Sequence, residues 1–399
     1  MAQTWNGRRW RIAAARNPAA FTQLSGVSCP GPRDCTAVGS YSATRTSPSH
    51  PLVERWDGTR WRVAAVPSPP AAHLSSVSCP TATTCTAVGG YQPAGRDARM
   101  LVEVRQGHRW TSPPSPATGA LSSVSCTSAS FCLALGSASG AERWDGHRWS
   151  EVSAPDPYNP SQRTGLASVS CISATSCVAV GATGPGTAAH TLVASWDGSG
   201  WKTVSSPNPA GSLSSTLTTV SCSAATWCTA VGYYFPAGSQ HNFTDALIES
   251  WNGTSWTLAS SRPRVPFPAQ ISVSCASASA CMAIWSSQGG LPTAEWWNGT
   301  RWAATTVAGP TPRTDETELA GVSCTSAKAC TAAGSFVYLP ASGPLVENWN
   351  GTHWTVTPSP NPRVGIGGFD AVSCTSATIC TAVGTDARVL NVPFVEVRG

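Results

Sequence analysis

The chain has 399 residues, a formal net charge of +5, and charged residues make up only 11% of it. No basic run or stripe stands out, which argues against nucleic acid as the main partner. No run of about 18 apolar residues occurs, so no membrane-spanning helix is expected.

The first element in chain order is a turn. Trp5-Asn6-Gly7-Arg8-Arg9-Trp10 carries an Asn-Gly pair between strand formers and reads as a hairpin leading into a fourth strand without the strands that should precede it. Met1-Ala2-Gln3-Thr4-Trp5 has neither a basic n-region nor an apolar h-region, so export is expected to depend on a segment outside this sequence.

From Leu24 onward the sequence repeats. All 16 cysteines fall into Cys-x5-Cys pairs: Cys29/Cys35, Cys79/Cys85, Cys126/Cys132, Cys171/Cys177, Cys222/Cys228, Cys275/Cys281, Cys324/Cys330 and Cys374/Cys380. Their first members are 45 to 53 residues apart, a period that marks one supersecondary unit per repeat. The repeats start near Leu24, Leu74, Leu121, Leu166, Leu217, Gln270, Leu319 and Phe369. In the second, Leu74–Cys79 reads as a first strand, Cys85–Gly89 as a second, Leu101–Arg105 as a third, and Trp110 begins a fourth. The first repeat shows the outer hairpin fully: Leu52–Trp56, the turn Asp57-Gly58-Thr59-Arg60, then Trp61–Val63. The chain closes on Phe394-Val395-Glu396-Val397-Arg398, a third strand without a fourth.

Four antiparallel strands per repeat, with no helical periodicity free of Gly and Pro, predict an all-β, eight-bladed β-propeller forming one domain over 1–399. Inner strands of Ser, Ala, Val, Gly and Cys suit the narrow axis, and the tryptophans fill the wide outer hairpins. Residues 1–20 are expected to complete the last blade and close the ring, which leaves no free sheet edge. The paired cysteines flank the turn between the first two strands, where facing residues come within disulfide reach. The x5 spacing lacks the short Cys-x2-Cys knuckle and has no attendant His, so disulfides outweigh metal ligation. Sixteen paired cysteines point to an oxidising, extracellular setting.

The pattern Leu-x-x-Val-Ser-Cys … Ala-Val-Gly … Trp-Asp/Asn-Gly-x-x-Trp resembles the sialidase-like Asp-box propellers, including the photosystem assembly-factor type, and a group of cysteine-rich repeat proteins of actinobacteria. The resemblance spans the whole chain. Ser195-Trp196-Asp197-Gly198-Ser199-Gly200-Trp201 comes nearest to an Asp box, with its Gly one place early and its Trp one residue sooner. The resemblance implies a fold, because Asp boxes are structural turns in that family; it does not imply an activity.

Repetition then separates scaffold from site. Glu54, Glu103, Glu142, Glu249, Glu295, Glu347 and Glu396 share one third-strand position that only Ala194 breaks, which is the mark of scaffold. The acids outside that pattern and outside the turns include Asp245, Glu316, Glu318, Asp370 and Asp386. The loops from second to third strand vary in length and content, so a site is expected on their face of the ring, at the mouth of the channel. Trp285 replaces the Gly that ends the second strand in the other repeats, with Tyr233, Tyr234 and Phe235 on one side and Phe336 and Tyr338 on the other. These aromatics, with His241, Asp245, Glu316 and Asp370, make a candidate ligand-binding patch suited to a sugar ring. Packing under long loops is the competing explanation. The sequence therefore favours a secreted, monomeric propeller that binds a carbohydrate or another small ligand without a cofactor or metal. A polysaccharide hydrolase or lyase at the same mouth, or a protein-interaction platform, are the alternatives. No nucleotide-binding glycine loop and no Gly-x-Ser-x-Gly elbow is present.

Overall fold

In the computed structural model the chain is an eight-bladed β-propeller, described over residues 2–387 apart from 13–17, 20, 116–117, 137–139, 154–164, 186–187, 239–242, 260–262, 267, 269, 288–290, 311–315, 339–340 and 361–365. Blades 1 to 8 have first strands Phe21–Gly31, Ala72–Thr81, Leu121–Ser128, Gly165–Ser173, Ser212–Ala224, Gln270–Ser277, Glu316–Ser326 and Ile366–Ser376. Each blade is a four-stranded antiparallel sheet, and blade 5 adds a fifth short strand, Arg264–Pro266, against Phe243–Asp245. No helix occurs among the described residues, and so none long and apolar enough to cross a membrane.

The ring closes differently from the sequence reading in one respect. Ala2–Trp5 takes the third-strand place of blade 8, beside Ile379–Ala387, and Trp10–Ile12 takes the fourth. The N-terminus thus supplies two strands rather than one; Phe394–Arg398 lies outside the described residues. The register accounts for this. Trp5 faces Cys380 as Trp56 faces Cys35, and Gln3 falls opposite Ala382 as Glu54 falls opposite Ala37. Gln3 fills the buried polar position that glutamate holds elsewhere.

Three repeated devices hold the blades. First, the serine of each Val-Ser-Cys accepts a hydrogen bond from the backbone N–H of the following blade's cysteine. The series runs from Ser28 to Cys79 (3.1 Å) through to Ser373 back to Cys29 (3.3 Å), and all eight junctions carry it. An inner-strand edge that would otherwise present unpaired donors to the next blade is satisfied there. Second, all eight Cys-x5-Cys pairs are disulfides between facing residues with Cα atoms 4.0–4.1 Å apart. Third, the outer hairpins pair tryptophans cross-strand, as in Trp56–Trp61 and Trp144–Trp149 with ring centroids 6.1 and 5.6 Å apart. The first indole of such a pair often donates to a carbonyl of its own blade's cysteine loop, as Trp144 does to Ala129 (3.0 Å) and Trp297 to Ala278 (3.0 Å). This ties the two turns of one face together.

The disulfides reach deeper than a pair of turn-flanking residues suggests. The second cysteine of every pair is buried: Cys35, Cys85, Cys132, Cys177, Cys228, Cys281, Cys330 and Cys380. The first is half-buried in seven blades (Cys29, Cys126, Cys171, Cys222, Cys275, Cys324 and Cys374), and only Cys79 is buried with its partner. The buried sulfurs belong to the cores between blades. Cys132 packs with Val104 and Trp144, Cys177 with Phe131 and Trp196, Cys281 with Ile248 and Trp302, and Cys330 with Met282 and Trp349. Each disulfide anchors its turn to the apolar core, and none of these second cysteines is accessible to a ligand or to a metal ion.

The Trp-Asp/Asn-Gly turn is local chemistry. Asp57 Oδ1 accepts the backbone N–H groups of Thr59 (3.0 Å) and Arg60 (2.9 Å), and Asn252 Oδ1 does the same for Thr254 and Ser255. Gly58 follows with φ +88°, in the left-handed region that glycine enters at low cost. The Asn252-Gly253-Thr254, Asn298-Gly299-Thr300 and Asn350-Gly351-Thr352 segments are therefore hairpin turns.

Candidate functional site

The first strand starts, and the second ends, on the face opposite the disulfides. In seven blades this end carries a β-bulge, such as the shift between Leu24 and Gly26 in blade 1. The bulge brings the carbonyl of the residue before the leucine onto the glycine that ends the second strand. A Cβ at Gly39 would overlap the Gln23 carbonyl, and one at Gly232 the Thr216 carbonyl, so glycine is obligatory. Blade 6 has no bulge there: Ile271 faces Trp285 and Ser272 faces Ile284 in unbroken register. Without that carbonyl a side chain fits, and Trp285 occupies the place.

Trp285 does not face the mouth. It is 1% exposed, and its Nε1–H donates to the Gly232 carbonyl of blade 5 at 2.7 Å, so it seals the interface between blades 5 and 6. Tyr234 is likewise buried, and its hydroxyl donates to Asp245 Oδ2 (3.1 Å), which also faces Arg264 Nε at 3.6 Å. Tyr233 and Phe235 are half-buried and meet edge to face, with centroids 5.9 Å apart. Burial pushes the Tyr233 hydroxyl above its ordinary pKa. His241 and the Tyr338 side chain lie outside the described residues. The blade 5 aromatics are thus separated by blade 6 from Phe336, Glu316 and Asp370.

Phe336 and Asp370 meet at a cavity of about 210 Å³ between blades 7 and 8, lined also by Gln270, Glu318, Ser335 and Thr385, whereas Glu316 is not among its lining residues. Phe336 lines it and packs on the Met282, Ile284 and Leu319 core. Blade 8 contributes Gly367 and Gly368 to the lining, and Gly368 lies so close to blade 7 that a Cβ there would meet the Ser335 side chain at 2.7 Å. Asp370 Oδ2 accepts the Thr385 hydroxyl at 3.1 Å. Burial raises the Asp370 pKa, against hydrogen bonds from Thr385 and Gln23. Glu318 is raised by burial first and then by repulsion from Glu316 and Asp370, against a hydrogen bond from Gln270. Glu318 and Asp370 in one cavity, the Asp370 charge disfavouring that of Glu318, and the amides of Gln270 in blade 6 and Gln23 in blade 1 that hydrogen-bond them therefore form a polar arc.

Gln270, Gln23 and Thr385 are absent from the sequence reading of the site, and Glu318 enters it only among the acids outside the repeat pattern. Glu318 precedes the blade 7 leucine, and the corresponding residues are Gln23, His73, Ala120, Gly165 and Thr216. That column, completed by Ala269 and Gly368, has no prevailing residue, so the repeat comparison offers no rule for Glu318 to break. Gln270 did carry a signal, since it stands where the other repeats have Leu or Phe. Among the described residues no group of three His, Cys, Asp or Glu side chains gathers to hold a metal.

No protein-family model matches this chain, and no curated protein does. Among solved structures, Sqt1 from Chaetomium thermophilum is similar at 14% identity over 95% of this chain and 100% of that one, with a TM-score of 0.57. YCF48 from Cyanidioschyzon merolae reaches a TM-score of 0.49 at 14% identity, covering 87% of this chain and 98% of its own. A SapL1 lectin in complex with alpha methyl fucoside reaches 0.41 at 12% identity, over 73% and 97%. The likeness is one of fold. It identifies a β-propeller and leaves the site to be argued from its own residues.

Proposed function

We propose that this is an exported propeller of the Asp-box type, akin to the cysteine-rich repeat proteins of actinobacteria, that binds a neutral polyhydroxylated ligand, a glycan, in the cavity between blades 7 and 8. The observation that carries the reading is the polar arc. Carboxyls whose pKa values burial raises, carboxamides and a hydroxyl provide both donors and acceptors for sugar hydroxyls, beside the half-buried ring of Phe336. The eight disulfides support an oxidising location.

A second reading is a polysaccharide-cleaving enzyme at the same place. Glu318 and Asp370 favour it, because two carboxyls in one cavity, both raised in pKa by burial, can serve as an acid and a base. A glycan-array screen of the wild type, followed by titration of the best binder into Glu318→Gln/Asp370→Asn, tests the first reading. Binding should fall at least tenfold while the melting temperature holds. Unchanged affinity in the double variant would place the ligand elsewhere. Release of shorter oligosaccharides from the bound glycan would select the enzyme.

A further inference from the structure

The face opposite the cavity is built from short turns of nearly uniform length. Both turns of a blade lie on it, because in seven blades the second cysteine faces a hairpin tryptophan across the sheet, as Cys228 faces Trp251, and in blade 2 Cys85 faces Arg105. The eight Ser-to-Cys hydrogen bonds set the blades at one height, and the indole-to-carbonyl bonds fasten one turn to the other. The tips therefore form a rigid ring.

That ring is basic. The residue before the second tryptophan of the hairpin is Arg9, Arg60, Arg109, Arg148 or Arg301 in five blades, and each is exposed. Blades that open the turn with aspartate partly neutralise it: Asp57 pairs with Arg62 at 2.8 Å, and Asp197 with Lys202 at 2.6 Å. Blades that open it with an amide do not. Arg8 and Arg9 follow Asn6, Arg301 follows Asn298, and Arg109 follows Gln106, with no carboxylate paired to any of them among the described residues. The cysteine loops add Arg33 and Lys328, both exposed. The opposite face mixes signs, with Arg45, Arg96 and Arg99 against Asp97, Glu316 and Asp370. A modest overall charge thus hides a strong asymmetry.

Two more features share the basic face. Blade 5 has no cation at its tip, and there the indoles of Trp227 and Trp297 stack at 5.2 Å while remaining half-buried. Between blades 7 and 8 a cavity of about 350 Å³ is lined by Trp5, Lys328, Asn348, Asn350 and Thr378. It combines one cation with amides, a hydroxyl and an indole.

We infer that this face docks on a bilayer rich in anionic lipid, seating one phosphate-bearing headgroup in the Lys328 cavity. A linear polyanion needs cations along one track. Here they stand around a level ring, which fits a planar surface of diffuse negative charge. Half-buried indoles at the rim suit the bilayer interface, where one edge is apolar and the other wet. Bound this way, the protein turns its variable face, with the cavity between blades 7 and 8, away from the surface. The docking is independent of what that cavity binds.

Cosedimentation with phosphatidylcholine vesicles, with and without 30 mol% phosphatidylglycerol, tests it, the lipid fraction being a chosen condition of about that size. The protein should pellet only with the anionic vesicles, and the affinity should fall about tenfold or more between roughly 50 and 300 mM salt. Arg9→Glu/Arg109→Glu/Arg301→Glu should lower it by a further tenfold at least, and Lys328→Glu severalfold. Arg45→Glu/Arg96→Glu/Arg99→Glu, which changes net charge equally on the other face, should leave it within about twofold. Should the glutamate triple misfold, the Arg→Gln triple carries the same expectation at smaller size. Equal loss in both triples would reduce the effect to net charge and overturn the proposal. So would retention on heparin without vesicle binding, which would name a polysaccharide as the partner.

Discussion

Six described blades bury a glutamate completely at one third-strand position, Glu54 in blade 1 among them. Linker serines reach some of these carboxylates, as Ser115 reaches Glu142 (2.7 Å) and Ser206 reaches Glu249 (2.8 Å). Neither Glu54 oxygen has a hydrogen-bond partner among the described residues. Burial lifts its pKa from 4.5 to about 7, and lifts Glu103 and Glu249 to about 8. Below pH 4.5 the group is protonated in both the folded and the unfolded chain, and the fold is at its best. Between about pH 4.5 and 7 only the unfolded chain loses the proton, so stability falls as pH rises. At about 1.4 kcal/mol per pKa unit, Glu54 alone costs about 3 kcal/mol by pH 8. Glu54→Gln removes the titration while keeping the shape. The site tolerates an amide, since Gln3 holds the same place in blade 8 and donates to the Pro360 carbonyl at 2.8 Å. With an unfolding entropy of about 2.1 cal/mol/K per residue over 399 residues, the variant should melt about 4 °C above the wild type at pH 8. At pH 5 the two should melt within about a degree of each other. Thermal melts of both proteins from pH 5 to 8 measure this directly. A gap that stays constant across that range would refute the buried, protonated carboxyl.

Further outcomes follow from the packing. Trp285→Ala should cost about 3–5 kcal/mol by emptying the interface between blades 5 and 6, with glycan affinity unaltered, as denaturant unfolding and titration would separate. Gly39→Ala should be destabilising by several kcal/mol in the same assay, because its methyl meets the Gln23 carbonyl; an innocuous result would remove the bulge as the reason for glycine there.

What repeats is legible in the sequence. Period, blade count, strand order, disulfide pairing and the scaffold role of the glutamates all recur with the same residues at the same register, so each copy checks the others. It reads less well where depth matters or where one blade departs. Spacing pairs Cys126 with Cys132, but only the packing of neighbouring blades shows that Cys132 is core and Cys126 half-buried. Trp285 stood out as a replaced glycine, yet the physical cause is a missing bulge, and a bulge is a change of register that residue types reveal only in part. Ring closure was legible in outline, but Ala2–Trp5 lacks the Leu-Val-Glu pattern of a third strand, and only pairing shows Gln3 in the glutamate's place. At the mouth, Asp370 was found as an outlier in a regular column. Glu318 is legible only as one of several off-pattern acids, because its column has no prevailing residue to break. The cavity forms where Gly367 and Gly368 of blade 8 meet Ser335 and Phe336 of blade 7, a relation between blades that no single repeat contains.

The most direct test of the cavity between blades 7 and 8 as the binding site is to fill it. Ala320 lines it, and Ala320→Trp would occupy the space while leaving Glu318 and Asp370 in place. Isothermal titration of the best glycan into this variant should show no binding, with a melting temperature close to wild type. Wild-type affinity in the filled protein would contradict the account.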